Sequence, residues 1–278
     1  MSATPGRDAP IGIFDSGVGG LTVLAALRAR LPHESFIYLG DTARLPYGTK
    51  SRTTVSRYAR QASQVLVDRG VKMLVIACNT ASAVARDELA EQLTPLPLLG
   101  VVEAGAAAAC QASRNGQIAV IGTESTIRGG AYERAIARRR PEAKVVGRAC
   151  PLFVALAEEG WCEGPIATGV AERYLGELRP ACGQPQGLDC LVLGCTHFPV
   201  LREVLATVMG PDVALVDSAE TTAAAVAERL ADEDLLAPSG ASADVTLLAT
   251  DGPERFARVG ARFLGMDLRS DAVSLVDL

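Results

Sequence analysis

One short pattern occurs twice along the chain and constrains the fold more than any other feature of the sequence. Residues 74–80 (LVIACNT) and residues 191–197 (LVLGCTH) each combine an apolar run, a small residue, a cysteine and two polar residues, and a helical stretch follows each of them. A continuous apolar run is typical of a parallel strand that is covered on both faces. A weaker echo relates residues 11–16 to residues 118–123. The repeats predict two lobes of similar topology that face each other.

The alternation of apolar runs with helical stretches extends over most of the chain. The predicted strands are Ile11–Phe14, Ser35–Leu39, Met73–Ala77, Leu98–Val101, Gln117–Ile121, Lys144–Val146, Leu191–Leu193 and Ala214–Val216. The predicted helices are Gly20–Arg30, Thr53–Arg69, Ala81–Gln92, Gly129–Arg139, Pro165–Leu178, Val200–Met209 and Ala219–Asp232. Strands that alternate with helices form parallel sheets with right-handed crossovers. We therefore predict an α/β fold of two similar lobes, each a mostly parallel sheet flanked by helices, with the active site in the cleft between them.

Breaks in this alternation predict where the chain crosses between the lobes. The proline-rich stretch Thr94–Pro97, followed by Gly100, marks one crossing, and Gly210-Pro211 marks the other, because glycine and proline interrupt regular elements. We expect an N-terminal lobe of residues 1–98 plus 211–278 and a second lobe of residues 99–210. The segments before residue 10 and after residue 264 carry no motif that indicates a function.

Composition and charge limit the classes of function. Hydrophobic residues make up 49% of the 278 residues and charged residues 21%, which is typical of a soluble globular protein. The net charge is −5 and no basic run is long, so nucleic-acid binding is a poor interpretation, and Arg138–Arg140 is interpreted as stabilising a helix C-terminus. No apolar run approaches the roughly 20 residues of a membrane span, and no secretory leader is recognisable.

The cysteines indicate a reducing compartment. There are seven of them, an odd number, with no CxxC spacing, and the chain has only two histidines. We therefore expect free thiols in the cytoplasm and no structural zinc site. No bound metal or organic cofactor is expected either. Cysteines that behave as small buried residues are expected at Cys110, Cys150, Cys182 and Cys190. Cys162 is left open because Glu163 is adjacent to it.

Four polar or thiol side chains follow predicted strands, and ligands bind at the carboxyl ends of strands in open parallel sheets. They are Asp15, Thr123, Cys78 and Cys195. The helix that begins after each strand directs free N–H groups into the same crevice, an arrangement that binds carboxylates or phosphates. The glycine-rich turn after Asp15 lacks the lysine of a Walker A motif and the spacing of a dinucleotide fingerprint. A carboxylate at a strand end is costly unless solvated or paired, so Asp15 is expected to face the crevice, with a helix cap as the alternative.

Cys78 and Cys195 stand at matching positions of the repeated unit and are therefore expected to face each other. A helix N-terminus lowers the pKa of a thiol from its ordinary value of about 8.5. Two thiols on opposite sides of one cavity can remove a proton from one face of a carbon and return one to the other face. Asp15 is placed to assist Cys78, and His197 is placed to assist Cys195.

Four segments taken together resemble the bacterial glutamate racemases over nearly the whole chain. They are residues 13–21 (IFDSGVGGL), 40–42 with 46–48 (GDT and PYG), 77–82 (ACNTAS) and 194–199 (GCTHFP). The histidine at position 197 resembles the residue found there in glutamate racemases, whereas the related aspartate racemases usually have a glutamate residue at this position.

The resemblance implies a pyridoxal-independent racemase that interconverts L- and D-glutamate, supplies D-glutamate for peptidoglycan and forms a homodimer. It implies that Cys78 and Cys195 are the acid/base residues, assisted by Asp15 and His197. The substrate-binding positions that it implies are Asp15, Ser16, Tyr47, Gly48, Asn79, Thr80, Thr123, Thr126, Thr196 and His197. Asp41 and Glu163 resemble further polar positions near the site. A turn or cap role is the alternative for Asp41, and a plain turn is the alternative for Tyr47 and Gly48.

Three other functions remain open from the residues alone. The first is a racemase of aspartate or another small amino acid, which turnover of both enantiomers of glutamate and of aspartate would distinguish from a glutamate racemase. A glutamate-binding protein without activity would need no paired thiols and would exchange no α-proton with solvent. A thiol redox protein would require the Cα atoms of Cys78 and Cys195 to lie within about 7 Å of each other.

Overall fold

Ten strands and eleven α-helices, with short 3-10 helices between some of them, make up the computed structural model over residues 6–178 and 187–278, the part of the chain that it describes. The strands are β1 (Ile11–Asp15), β2 (Phe36–Gly40), β3 (Met73–Ile76), β4 (Leu98–Gly100), β5 (Gln117–Gly122), β6 (Lys144–Ala149), β7 (Cys190–Gly194), β8 (Ala214–Asp217), β9 (Val245–Ala249) and β10 (Val273–Leu275). The helices are α1 (Leu21–Arg30), α2 (Arg52–Val67), α3 (Asn79–Gln92), α4 (Val101–Ala112), α5 (Glu124–Arg128), α6 (Ala131–Arg139), α7 (Leu152–Glu159), α8 (Gly164–Leu175), α9 (Arg202–Met209), α10 (Ser218–Asp232) and α11 (Pro253–Leu264). Cys182 lies outside the described residues.

Two parallel sheets organise these elements. The first contains six strands in the order β10-β9-β2-β1-β3-β4, and the second contains four in the order β6-β5-β7-β8. Every residue of β1, β2, β3 and β7 is buried, because helices cover both faces of each sheet. The predicted α/β fold with two parallel sheets flanked by helices is therefore confirmed.

The strand β8 lies beyond one of the expected lobe boundaries. This strand pairs with β7 from Cys190–Ala214 to Leu193–Asp217, so the second sheet continues to Asp217. Gly210 ends α9 with a positive φ of 88°, which means that the Gly210-Pro211 break marks the end of a helix and not the crossing between lobes. The strand β4 lies in the first sheet. We propose lobes of residues 6–100 plus 218–278 and of residues 101–217.

Several elements appear that the sequence pattern did not predict. They are α4, α5, α7, α11, β9 and β10. Of these, β9 and β10 extend the first sheet beyond β2, and α11 packs on α1. The helix α4 packs on β7 of the second sheet and on α10. Within the described part of the chain, no helix is both long and apolar enough to cross a membrane.

A buried ion pair joins distant parts of the first lobe. Lys72, which precedes β3, lies 2.5 Å from Glu34, and both side chains are almost fully buried. Lys72 also donates to the carbonyl of Arg7, and Glu34 accepts from the N–H of Ala237. The pair therefore ties the segments before β1 and β2 to the loop that leads into β9.

Candidate active site

The carboxyl ends of strands from both sheets open onto one cavity of about 320 Å³. Ser16 and Cys78 follow β1 and β3 of the first lobe, whereas Thr123 and Cys195 follow β5 and β7 of the second. The predicted site residues that line this cavity are Ser16, Tyr47, Gly48, Cys78, Asn79, Thr80, Thr123, Cys195, Thr196 and His197. Ten sequence-predicted positions thus meet at the cleft between the lobes, as parallel strand ends require.

Cys78 occupies the N-cap position of α3. Its sulfur accepts a hydrogen bond from the N–H of Ala81 at 3.4 Å, and its thiol donates to the hydroxyl of Ser16 at 3.3 Å. Burial, reinforced by the charge of Asp15, raises the pKa of the Cys78 thiol to about 12 and outweighs both hydrogen bonds. The helix N-terminus was expected to lower this pKa, but at Cys78 the desolvation of the thiolate has the larger effect.

Cys195 has a different set of neighbours. Nδ1 of His197 lies 3.8 Å from its sulfur, and Nε2 of the same ring lies 3.0 Å from Oε1 of Glu158. Burial lowers the pKa of His197, but the hydrogen bonds and charges of Cys195 and Glu158 raise it by more, so that the pKa is about 10. The ring is therefore an imidazolium near neutral pH, and it can donate to both partners at once.

Glu158 is a charged side chain of the cavity wall that sequence reasoning missed. It lies near the C-terminal end of α7, and its second oxygen accepts from Arg255 of α11 at 2.6 Å. Burial raises the pKa of this carboxyl, but the hydrogen bonds from His197 and Arg255 lower it more. The apolar spacing of Leu152, Phe153 and Leu156 could have indicated the helix, but nothing in the sequence indicates that its last turn reaches the cavity.

Asp15 is buried at the end of β1, behind the cavity wall. One of its oxygens accepts from the N–H of Gly17 at 2.9 Å. Burial raises the pKa of Asp15, and the charge of His197 and the N–H groups of the following turn oppose that rise. Its charge in turn acts on Cys78, so the structure brings Asp15 close to the thiol that it was expected to assist.

Three threonines connect the lobes beside the thiols. Thr80 of α3 lies 3.0 Å from Thr123 and 3.3 Å from Thr126, measured between hydroxyl oxygens, and the latter two are 3.0 Å apart. Thr123 also caps α5 by accepting from the N–H of Thr126. Thr126 itself does not line the cavity, and its hydroxyl orients the two threonines that do.

Asn79 and Thr196 complete the polar wall on either side. Asn79 accepts from the hydroxyl of Tyr132 at 2.7 Å and donates to Ser218 at 3.4 Å, so its side chain is held by groups of the second lobe and of α10. The carbonyl of Thr196 accepts from the hydroxyl of Thr22 at 3.2 Å. Both contacts join the lobes at the cavity and fix its shape.

Tyr47 lines the cavity, and Asp41 supports it from behind. The hydroxyl of Tyr47 donates to Asp41 at 2.5 Å, and Asp41 also accepts from Arg44 at 2.7 Å and Thr250 at 3.0 Å. Asp41 therefore lies behind Tyr47 and does not line the cavity. At Gly48, a Cβ atom would lie 2.7 Å from the Cβ of Thr123, so glycine permits this turn to approach the second lobe.

Glu163, offered above as a possible site residue, is not brought to the cavity. Its side chain is exposed at the N-cap position of α8. Gly160 ends α7 in the left-handed conformation, and the chain turns away from the cleft before it reaches Glu163. The carboxylate that reaches the cavity from this region is Glu158.

The family model described as Asp/Glu/Hydantoin racemase matches residues 22–226. The chain belongs to this racemase family. It is 53% identical over 255 residues to a glutamate racemase of Geobacter metallireducens, with 92% of each chain covered. A solved glutamate racemase of Francisella tularensis in complex with D-glutamate is similar with a TM-score of 0.88 and 36% identity, and one of Thermus thermophilus in complex with β-chloro-D-alanine with 0.86 and 44%. In each of these two comparisons, the matched region covers 98% of this chain and 98% of the solved chain.

These relatives confirm the resemblance to glutamate racemases on which the sequence analysis relied. In the racemase, Cys78 and Cys195 are free thiols that line the same cavity from opposite lobes. Each sulfur contacts a different polar group, Ser16 in one lobe and His197 in the other. The arrangement can therefore deliver two distinct acid/base groups to two sides of one small molecule.

Proposed function

We propose that the chain interconverts L- and D-glutamate without a cofactor, with Cys78 and Cys195 as its two acid/base groups. One observation carries this proposal: two free thiols of opposite lobes line one cavity, and each has its own polar partner. The family match and the glutamate racemases at 53% and 44% identity support glutamate as the substrate.

In each direction, the thiolate of one cysteine takes the α-proton of glutamate. The electron pair of the broken C–H bond is delocalised into the adjacent carboxylate, and the thiol of the other cysteine gives its proton to the opposite face of the same carbon. The first cysteine ends as a thiol and the second as a thiolate, which is the state that the other enantiomer requires. A high pKa makes the Cys78 thiolate a strong base when it forms, which favours removal of a weakly acidic α-proton.

We assign the binding of the substrate to the polar wall of the cavity. The first N–H groups of α3 and α5 lack intrahelical partners and suit the two carboxylates of glutamate. Holding the α-carbon between two sulfurs brings the entropic advantage of proximity, and the same N–H groups stabilise the charge that develops on the α-carboxylate. The assigned side chains are Ser16, Tyr47, Asn79, Thr80, Thr123 and Thr196.

Replacement of either thiol tests the proposal. The purified protein is incubated with L-glutamate and no added cofactor, and the loss of optical activity is followed by circular dichroism. Cys78→Ser and Cys195→Ser should each lower kcat by about 10² to 10⁴, because a serine hydroxyl is a much weaker acid than a thiol. Cys110→Ser, which changes a thiol on α4 outside the cavity, is the matched control and should retain activity.

Full activity in either serine variant would refute the two-thiol assignment. Turnover of aspartate without turnover of glutamate would refute the substrate. We further propose that the racemase acts in the cytoplasm as a homodimer and supplies D-glutamate for peptidoglycan. Light scattering coupled to size-exclusion chromatography tests the dimer, and a mass near the 29.0 kDa of one chain would contradict it.

A further inference from the structure

The helix α11, to which the sequence analysis gave no role, reaches from the first lobe to the Cys195 side of the cavity. Its apolar face packs in the core of the first lobe through Phe256, Val259 and Phe263. From its other face, Arg255 donates to Oε2 of Glu158 at 2.6 Å. Glu158 belongs to α7 of the second lobe, so this ion pair crosses the cleft.

Two further contacts of α11 converge on the same place. Arg262 donates to the carbonyl of Glu158 at 2.8 Å and to that of Ala157 at 3.2 Å, which satisfies the last turn of α7. The ring of Phe263 meets the ring of His197 edge to face, with centroids 5.1 Å apart. The end of α7 and the histidine are thus both held by one helix of the first lobe.

The two oxygens of Glu158 are shared between the lobes. Oε1 meets Nε2 of His197 at 3.0 Å, and Oε2 meets Arg255. The side chain of Glu158 is 16% exposed and that of His197 is 11% exposed, whereas that of Arg255 is 47% exposed. A carboxylate bonded on both oxygens has one orientation, and loss of the arginine would free it to rotate away from the ring. Besides Glu158, the charged or titratable groups that interact with His197 are Asp15 and Cys195.

We propose that Arg255 is a positioning residue for the Cys195 half of the site, which it assembles by holding Glu158 against His197. Because Arg255 reaches Glu158 from the first lobe, that half of the site is complete only when the two lobes are in this arrangement. The inference rests on the proposed two-thiol function. It assigns to Arg255 no contact with substrate.

The variant Arg255→Met removes the ion pair and keeps much of the side-chain volume. It should lower kcat/KM by about three- to tenfold, a modest loss because the guanidinium is half-exposed. The loss must be equal for both enantiomers, since racemisation has an equilibrium constant of one. Arg255→Lys, which keeps the charge, should recover most of the activity. Arg258→Met, on an exposed position of the same helix, is the matched control and should behave as the wild type.

Isotope effects separate a role in one half of the site from a general loss of structure. A slower step at Cys195 makes proton removal by Cys195 more rate-limiting and proton removal by Cys78 less so. In Arg255→Met, the primary deuterium isotope effects on kcat/KM, measured with α-deuterated L- and D-glutamate, should therefore move in opposite directions. In Glu158→Gln, the further change Arg255→Met should have no added effect.

A spectroscopic signature tests the same contact without turnover. The Nε2–H proton of His197, hydrogen bonded to Glu158, should give a downfield proton resonance in the wild type, in Arg255→Lys and in Arg258→Met, and should broaden or vanish in Arg255→Met. Unchanged isotope effects, an undiminished resonance in Arg255→Met, or a full additional loss in the Glu158→Gln background would each overturn the inference. Absence of racemisation by the wild type would instead overturn the proposed function.

Discussion

At the scale of single residues, the two thiols differ in what surrounds them. Cys78 contacts a neutral hydroxyl and feels the charge of Asp15, and burial raises its pKa to about 12. Cys195 lies beside His197, an imidazolium that Glu158 holds by its far nitrogen. The proposed reaction, which needs one thiolate and one thiol in alternation, is therefore served by two unlike environments.

The pKa of His197 predicts how the stability of the fold depends on pH. The pKa is raised from 6.5 to about 10 on folding, so the folded protein binds this proton more tightly than the unfolded chain. The stabilisation is complete below pH 6.5 and is lost as the pH rises towards 10, at roughly 1 kcal/mol per pH unit within that window. His197→Gln should remove this decline.

Urea unfolding at intervals between pH 7 and 8.5 measures the effect. The upper limit keeps the measurement below the pH range in which the Cys78 thiol, whose pKa is also raised on folding, begins to affect stability. The second histidine of the chain offers the matched control, because His33→Gln lies outside the site and should keep the decline. Equal pH profiles for the wild type and His197→Gln would contradict the assigned charge.

At the scale of elements, the site residues that follow strands were predictable from the sequence, whereas a residue that reaches the cavity from the end of a helix was not. Asp15, Cys78, Thr123 and Cys195 could be placed from sequence because each directly follows an apolar run, and parallel strands end at one edge. Glu158 reaches the cavity from the end of a helix, so its distance from any strand hides it. The strands β9 and β10 follow irregular segments, and a polar residue, Thr246 or Ser274, interrupts each of them, so neither is a continuous apolar run.

The turn between β1 and α1 predicts a substitution that disturbs the opposite lobe. A Cβ atom at Gly19 would lie 2.4 Å from Nδ1 of His197 and 2.5 Å from Oγ1 of Thr196. Gly19→Ala should therefore displace the ring that faces Cys195 and lower kcat/KM by about tenfold or more, because the proposed partner of Cys195 is misplaced.

The same turn supplies the control for this substitution. At Gly17, the nearest atom to an added Cβ is a methyl carbon of Leu45 at 3.5 Å, which is ordinary van der Waals contact. Gly17→Ala should keep activity close to that of the wild type. Similar kinetic constants for Gly19→Ala and Gly17→Ala would show that the turn does not hold His197.

At the scale of the whole molecule, the proposed active site lies at an interface between two lobes. Hydrogen bonds join Thr80 to Thr123 and Asn79 to Tyr132 across it, and α11 reaches over from the first lobe to α7. The internal repeat predicted this arrangement, because two equivalent strand ends that serve one ligand must face each other. The second sheet continues past the boundary predicted near Gly210-Pro211, because a glycine and a proline that end a helix look the same in sequence as a linker.

The fate of the α-proton in ²H₂O tests the two-thiol account most directly. L-glutamate is incubated with the racemase in ²H₂O, the reaction is stopped early, and each enantiomer is analysed by mass spectrometry; the experiment is then repeated from D-glutamate. We predict that the enantiomer formed carries deuterium at the α-carbon while the remaining substrate keeps its protium, in both directions, because one sulfur removes the proton and the other supplies a new one. Product that retains the protium of the substrate, or substrate that gains deuterium as fast as product forms, would contradict the account.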